Sequence, residues 1–213
     1  MDRIGREELI GLFRRLREVF AERRDFLIEL DGRLGDSDLG ITMNKGFNAA
    51  SEWVEANASD DLGKTLNSAG LAFAKAAPST MGTLTATGFM RGGKALAGRD
   101  GLETEELLVF WRAFRDGVAE RGKAKPGDKT ILDVLEPIVS SFEASVQEEA
   151  RLIPALESAA AAAERGLNRT KAMKAQHGKA AVYQDKSIGF QDAGATVGYL
   201  IISTMLTFAK TSP

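Results

Sequence analysis

The chain has 213 residues, 44% hydrophobic and 27% charged, and a formal net charge of −2. That balance belongs to a globular protein with a full core, and near-neutrality gives no long-range pull toward nucleic acid or anionic lipid, so phosphate binding would need local donors or a metal. With no cysteine and one histidine, His177, disulfides, thiol catalysis and clustered cysteine or histidine metal sites are excluded, and any metal must be held by oxygen.

The elements read as helices in chain order. Leu9, Leu12, Phe13, Leu16, Val19 and Phe20 recur at three- and four-residue steps, as do Met43, Phe47, Ala50 and Val54. Leu62, Leu66, Ala69, Phe73 and Ala76 make a third stripe, ended by Pro78, and a fourth segment spans about 80–97 before Gly98. Leu107, Trp111, Phe114 and Val118 mark a fifth, with Thr104 as its expected N-cap. The sixth follows "KPGDKT", buries Leu132, Leu135, Val139, Phe142 and Val146, and is expected to kink at Pro137. An alanine-rich seventh, "ALESAAAAAERGL", and a last from about 194 to 210 complete the set. Period-two runs do not alternate with these helices, so a parallel-sheet nucleotide fold is disfavoured. The expectation is an all-α single domain over 1–213, a bundle or helical barrel of roughly eight helices.

The stretch around "TVGYLIISTMLTFA" reads as too short and too polar to span a bilayer, and "MDRIGREELIGLF" lacks a signal-peptide apolar block, so a cytoplasmic location is expected. Residues 176–194, "QHGKAAVYQDKSIGFQDAG", break the helical pattern and read as a functional loop on their glycines. His177 within them reads as a solvated surface residue.

"LDGRLGDSDLGITMNKGF", residues 30–47, sets Asp31, Asp36 and Asp38 within eight positions among glycines. Aspartate and glycine are turn and cap formers, so Asp36 or Asp38 could simply cap the next helix. Three carboxylates on one turn repel one another, however, by about 1 kcal/mol per close pair even in water. A divalent cation removes that repulsion, and oxygen donors suit Mg²⁺. An EF-hand counted from Asp36 places Ile41 where the loop needs glycine and Phe47 where it needs glutamate, and so fails. Magnesium held by few carboxylates completes its shell with water and phosphate, which points to a nucleotide or other polyphosphate.

Two further glycine-bearing joints, "APSTMGTLTATG" at 77–88 and "QDAGAT" at 191–196, each lead into a helix whose first amides favour anions, although either could be an ordinary cap. "GKAKPGDKT" at 122–130 is not a P-loop, because Asp128 separates Gly127 from Lys129 and no strand precedes it. It reads equally as a proline-glycine turn with Asp128 capping the sixth helix or as part of a nucleotide wall. "FRRLREVFAERR" is the wet face of the first helix.

In this order and at these separations, "LDGRLGDSDLGITMNKGF", "RGKAKPGDKTILDVLEPIV" and "SIGFQDAGAT" resemble the nucleotide-binding L subunit of dihydroxyacetone kinase over nearly the whole chain. The resemblance implies an antiparallel helical barrel with ADP or ATP bound at one end, its phosphates carried by two Mg²⁺ ions on Asp31, Asp36 and Asp38. It implies that Leu39, Gly40, Ile41 and Thr42 line the phosphate side and that Thr80, Met81 and Thr83 occupy the phosphate loop. Gly122 and Ile131 would form the adenine wall. Lys179 stands where the family usually has an arginine, and Asp192, Ala193 and Gly194 where it has Asp-Pro-Gly.

The implied partner is a separate K subunit that holds a keto sugar through a histidine, with a phosphotransferase-system protein as a possible phosphoryl donor and a homodimer as a further option. No catalytic base is expected on this chain. The family motif Gly-Asp-Gly-Asp-His-Gly is altered here, Ser37 replacing its second glycine and Leu39 its histidine, and the phosphate loop reads "PSTMGTLTAT". Alternatives are another acceptor, a tetrulose or a fatty acid, and a regulatory module that docks on a transcription factor.

Overall fold

The computed structural model describes residues 1–212. Among these, nine α-helices follow one another: α1 Arg6–Glu22, α2 Arg24–Gly32, α3 Leu39–Asn57, α4 Leu62–Ala76, α5 Thr80–Ala95, α6 Thr104–Gly122, α7 Leu132–Gln147, α8 Leu152–Arg169 and α9 Ala193–Thr211. Two 3₁₀ stretches, Thr170–Ala172 and Lys179–Ser187, lie between α8 and α9. The described residues contain no strand, only an isolated antiparallel bridge between Ile4 and Leu102.

Short connections make successive helices antiparallel neighbours. From α3 to α9 each helix packs on the next, α1 packs on both α3 and α9, and the ring closes with eight members. The starts of α1, α4, α6 and α8 share one end. There Ile4 and Leu102 exchange backbone bonds, the Leu62 amide donates to Arg99 O at 2.7 Å, and Thr104 Oγ1 donates to Ala150 O at 2.8 Å. It follows that α3, α5, α7 and α9 all begin at the other end.

The apolar stripes meet in a core rich in aromatics. Phe20 stacks on Phe47 with centroids 4.2 Å apart, Phe73 meets Phe47 edge-on at 5.0 Å, and Phe89, Phe110, Trp111 and Phe114 extend the cluster. Offset and edge-on pairs of this kind add about 0.5–1.5 kcal/mol each beyond the area they bury.

Several local expectations are corrected. The ring has the expected eight members, but α2 is an additional helix, nine residues long, packed on α3. Thr104 is the first helical residue of α6 rather than its cap; Glu103 holds the cap position, its amide donating to Glu106 Oε2 at 3.2 Å. The helix α7, as expected, takes Pro137 within its length. Proline cannot donate to the Asp133 carbonyl one turn back, and α8 approaches that carbonyl with Gly166, where an added Cβ would lie 2.3 Å from Asp133 O. The last helix, contrary to expectation, is long and apolar enough to cross a bilayer by length and composition, with a mean hydropathy of 1.2, but 56% of that stretch is buried within the barrel.

Candidate functional site

At the end where α3, α5, α7 and α9 begin lies a cavity of about 340 Å³, within the range of small-molecule sites. Its rim carries Asp31, Asp36 and Asp38, the α5 start Ser79, Thr80 and Met81, and the α9 start Asp192, Ala193 and Gly194. Its floor is apolar, with Leu30, Leu84, Val118, Gly122, Ile131 and Leu132. Helix N-termini present unpaired amides and the positive end of the helix dipole, so several converging starts favour an anion.

The acidic cluster is assembled by two helices and the turn between them. Asp31 sits in the last turn of α2, and its Oδ2 accepts from the amides of Asp38 at 3.1 Å and Leu39 at 3.4 Å. Asp31 therefore caps α3, and Asp38, which occupies the cap position, makes no side-chain cap bond. The simple reading of Asp36 or Asp38 as that helix's cap is thereby replaced, and neither carboxylate is engaged by a helix amide. One oxygen from each of Asp31, Asp36 and Asp38 lies within 4.8 Å of the others. Burial, and after it the charge of Asp31, pushes the Asp38 carboxyl above its usual range. Lys179 reaches across from the segment before α9 and contacts the Asp36 carboxylate. Three hard oxygen donors so close together suit a divalent cation such as Mg²⁺.

Not every expected residue lines the cavity. Leu39, Thr80, Met81, Gly122, Ile131, Lys179, Asp192, Ala193 and Gly194 do, whereas Gly40, Ile41, Thr42 and Thr83 do not. Gly40 is a packing residue, since a Cβ there would sit 2.1 Å from Arg24 O of α2. Ile41 is exposed and Thr42 buried. The Thr83 amide donates to Ser79 O at 2.8 Å, inside the helix that Ser79 caps. Leu39 is 2% exposed and belongs to the core, so an apolar side chain fills the position where the resemblance leads one to expect histidine.

Other residues gain a place that sequence did not give them. His177 is not a free surface residue: its Nε2 lies 3.0 Å from Asp128 Oδ2, and it lines the cavity. Asp128 does not cap α7. Its carboxylate accepts from the Lys125 amide at 2.9 Å, and Asp133 accepts from the amides of Gly127 and Thr130 at 2.6 and 2.7 Å. Burial raises the Asp128 carboxyl, but the Lys125 amide and His177 outweigh it and hold the group below its usual range. Asp192 caps α9 by accepting from the Ala195 amide at 2.7 Å. Its enclosure on the protein side raises the carboxyl to about 6, with the Ala195 amide and Lys129 pulling the other way. No local pattern marked the pairing of His177 with Asp128, because the two stand 49 residues apart.

Comparison with known proteins identifies the family and the fold. Residues 33–207 match the DAK2 domain family. The chain is 35% identical over 207 residues to the PEP-dependent dihydroxyacetone kinase, ADP-binding subunit DhaL, of Escherichia coli, covering 97% of this chain and 99% of that protein. It is 30% identical to the D-erythrulose kinase of Mycolicibacterium smegmatis, covering 91% of this chain and 34% of that one. In fold it is similar to the dihydroxyacetone kinase of C. freundii solved in complex with AMP-PNP and Mg²⁺, with a TM-score of 0.71 at 20% identity over 93% of this chain and 33% of that chain. From its motifs, its ring of helices and these relatives, the chain belongs to the DAK2 domain family.

Proposed function

We propose that this chain is the nucleotide-binding L subunit of a kinase for dihydroxyacetone or a related short keto sugar, acting with a separate K subunit that holds the sugar. The observation that carries the reading is the meeting of Asp31, Asp36 and Asp38 with the starts of α5 and α9 over one apolar-floored cavity. Asp31, Asp36 and Asp38 would hold magnesium, two ions by the family resemblance, and the ions would screen the charge of the transferring phosphoryl group. The chain's own residues then do the positioning. Amides at the starts of α5 and α9 orient the phosphates of ADP or ATP, and Lys179 adds a positive charge beside them. The floor between Leu84, Val118, Gly122 and Ile131 takes the adenine and keeps water from it.

The segment that carries Lys179 also exposes Val182, Tyr183, Ile188 and Phe190. An apolar patch beside the cavity suits the docking of a partner, and the K subunit is the partner this reading requires. The cytoplasm is the location that goes with it, and 1–213 acts as one nucleotide-binding domain. The name of the Escherichia coli relative, PEP-dependent and ADP-binding, favours a retained ADP recharged by a phosphotransferase-system donor over exchange of ATP. The erythrulose kinase relative favours a tetrulose as an alternative acceptor.

The test is titration of ADP with and without magnesium. Replacing Asp36 and Asp38 together by asparagine is expected to weaken Mg-dependent binding by about 100-fold or more while circular dichroism stays unchanged. Undiminished binding would remove the basis of the assignment. Assay of short keto sugars with the K subunit, run with ATP and then with phosphotransferase components, identifies acceptor and donor.

A further inference from the structure

The Lys129 side chain is among the largest fully buried ones in the molecule, at 2% exposure. Its ammonium lies within hydrogen-bond distance of four main-chain carbonyls: Thr170 O at 2.9 Å, Met173 O at 3.2 Å, Ser187 O at 2.7 Å and Phe190 O at 2.6 Å. An ammonium has three N–H bonds, so four acceptors saturate it and one is shared. A buried charge is tolerated only when it is satisfied in this way. Lys129 also holds φ 60°, the left-handed region that a lysine enters at a cost, so the backbone is bent to send this side chain inward.

The four carbonyls are not scattered. Thr170 and Met173 stand at the beginning of the segment between α8 and α9, and Ser187 and Phe190 stand near its end. Between them the chain runs out to His177, Gly178 and Lys179 at the cavity and returns. Neighbouring bonds close the same base: Gly189 N to Lys171 O at 2.7 Å, Ala175 N to Ser187 Oγ at 2.9 Å and Asp192 N to Thr170 Oγ1 at 3.0 Å. Closing a loop of this length opposes chain entropy, and the loop has exposed apolar residues rather than a core of its own to offset it.

We infer that Lys129 is a positioning residue, an internal cation that gathers the two ends of the 173–190 loop and so holds Lys179 and His177 over the cavity. The charge belongs to the turn between α6 and α7, and its partners lie 41–61 residues further on. The loop is thereby tied to the barrel wall as well as to α8 and α9. Asp192, whose charge favours the ammonium against its burial, stands at the loop's exit and at the start of α9. The consequence for the nucleotide rests on the function proposed above; the consequence for the loop does not.

Amide hydrogen exchange on the full chain, free of nucleotide, is the primary test. In Lys129→Met, which keeps the stem and removes the ammonium, peptides from 173–190 are expected to exchange roughly 100-fold faster, with α3, α4 and α5 unchanged. Mg-ADP affinity is expected to fall roughly tenfold as Lys179 loses its fixed position. Unchanged loop exchange overturns the inference, and so does equal acceleration in every helix, which would make Lys129 a general core residue. Loosened exchange with full Mg-ADP affinity overturns the positioning role. If Lys129→Met does not fold, the wild-type protein decides: a slowly exchanging lysine ammonium resonance assigned to Lys129 supports the cage, and its absence at neutral pH refutes it. Wild-type protein that binds no Mg-ADP defeats the nucleotide reading, and the exchange data then judge the loop clamp alone.

Discussion

Ser37 holds φ 63° between two of the clustered aspartates, and its hydroxyl has no hydrogen bond among the described residues. Left-handed backbone costs a residue with a Cβ about 1 kcal/mol or more, and the resemblance places glycine at this position. Ser37→Gly is therefore expected to raise stability by about 1 kcal/mol, a Tm increase of roughly 2–4 °C in a chain of this size. An unchanged or lowered Tm in a thermal melt would show that the turn carries no strain. Asp192 gives a second prediction. Its folded pKa of about 6 lies above its ordinary 3.8, so its contribution to stability is fully present below about pH 4 and is lost as pH rises through about 6. Asp192→Asn keeps an oxygen for the Ala195 amide and removes the titration. Relative to wild type, urea unfolding should show the variant gaining stability as pH rises from 4 to 7; a pH-independent difference would contradict the enclosure of the carboxyl. The aspartate trio was legible from spacing and charge alone, because repulsion among neighbours is a local property. Lys129 was not, since its partners lie far along the chain and "PGDKT" reads locally as a turn.

The short helix α2 shows how an element can escape periodicity. Its nine residues bury only Leu27 and Leu30, too few to draw a stripe, and its last turn runs into the aspartate motif, where Asp31 and Gly32 look like loop. Yet α2 carries Asp31, and its approach to α3 depends on Gly40. The Gly40→Ala variant would press a methyl group on Arg24 O and Ile28, forcing α2 outward. The expected result is about 2–3 kcal/mol of destabilisation and weaker Mg-dependent nucleotide binding, since Asp31 moves away from Asp36 and Asp38. Denaturant titration and binding measured on one preparation check both; a stable variant with intact binding would show that α2 can yield without moving Asp31. The long helices were legible because each has a continuous apolar face. Their caps were less so: by residue type Thr104 is the better cap than Glu103, but its hydroxyl donates instead to Ala150 O across the end of the barrel.

At the scale of the molecule, helical periodicity with connections this short leaves few arrangements other than an antiparallel bundle. What periodicity does not contain is the closure of α1 on α9, a contact between opposite ends of the chain. That closure brings Asp31 near the N-terminus and Asp192 near the C-terminus to the same cavity, and a reading confined to local windows can name both without joining them. The ring also dictates the order of assembly during synthesis. A nascent chain leaving the ribosome can pair α3 with α4 and α4 with α5 as each emerges, but α1 must wait for α9. Until α9 is released, Asp192, Ala193 and Gly194 are missing from the cavity, so no shorter translation intermediate has the complete site.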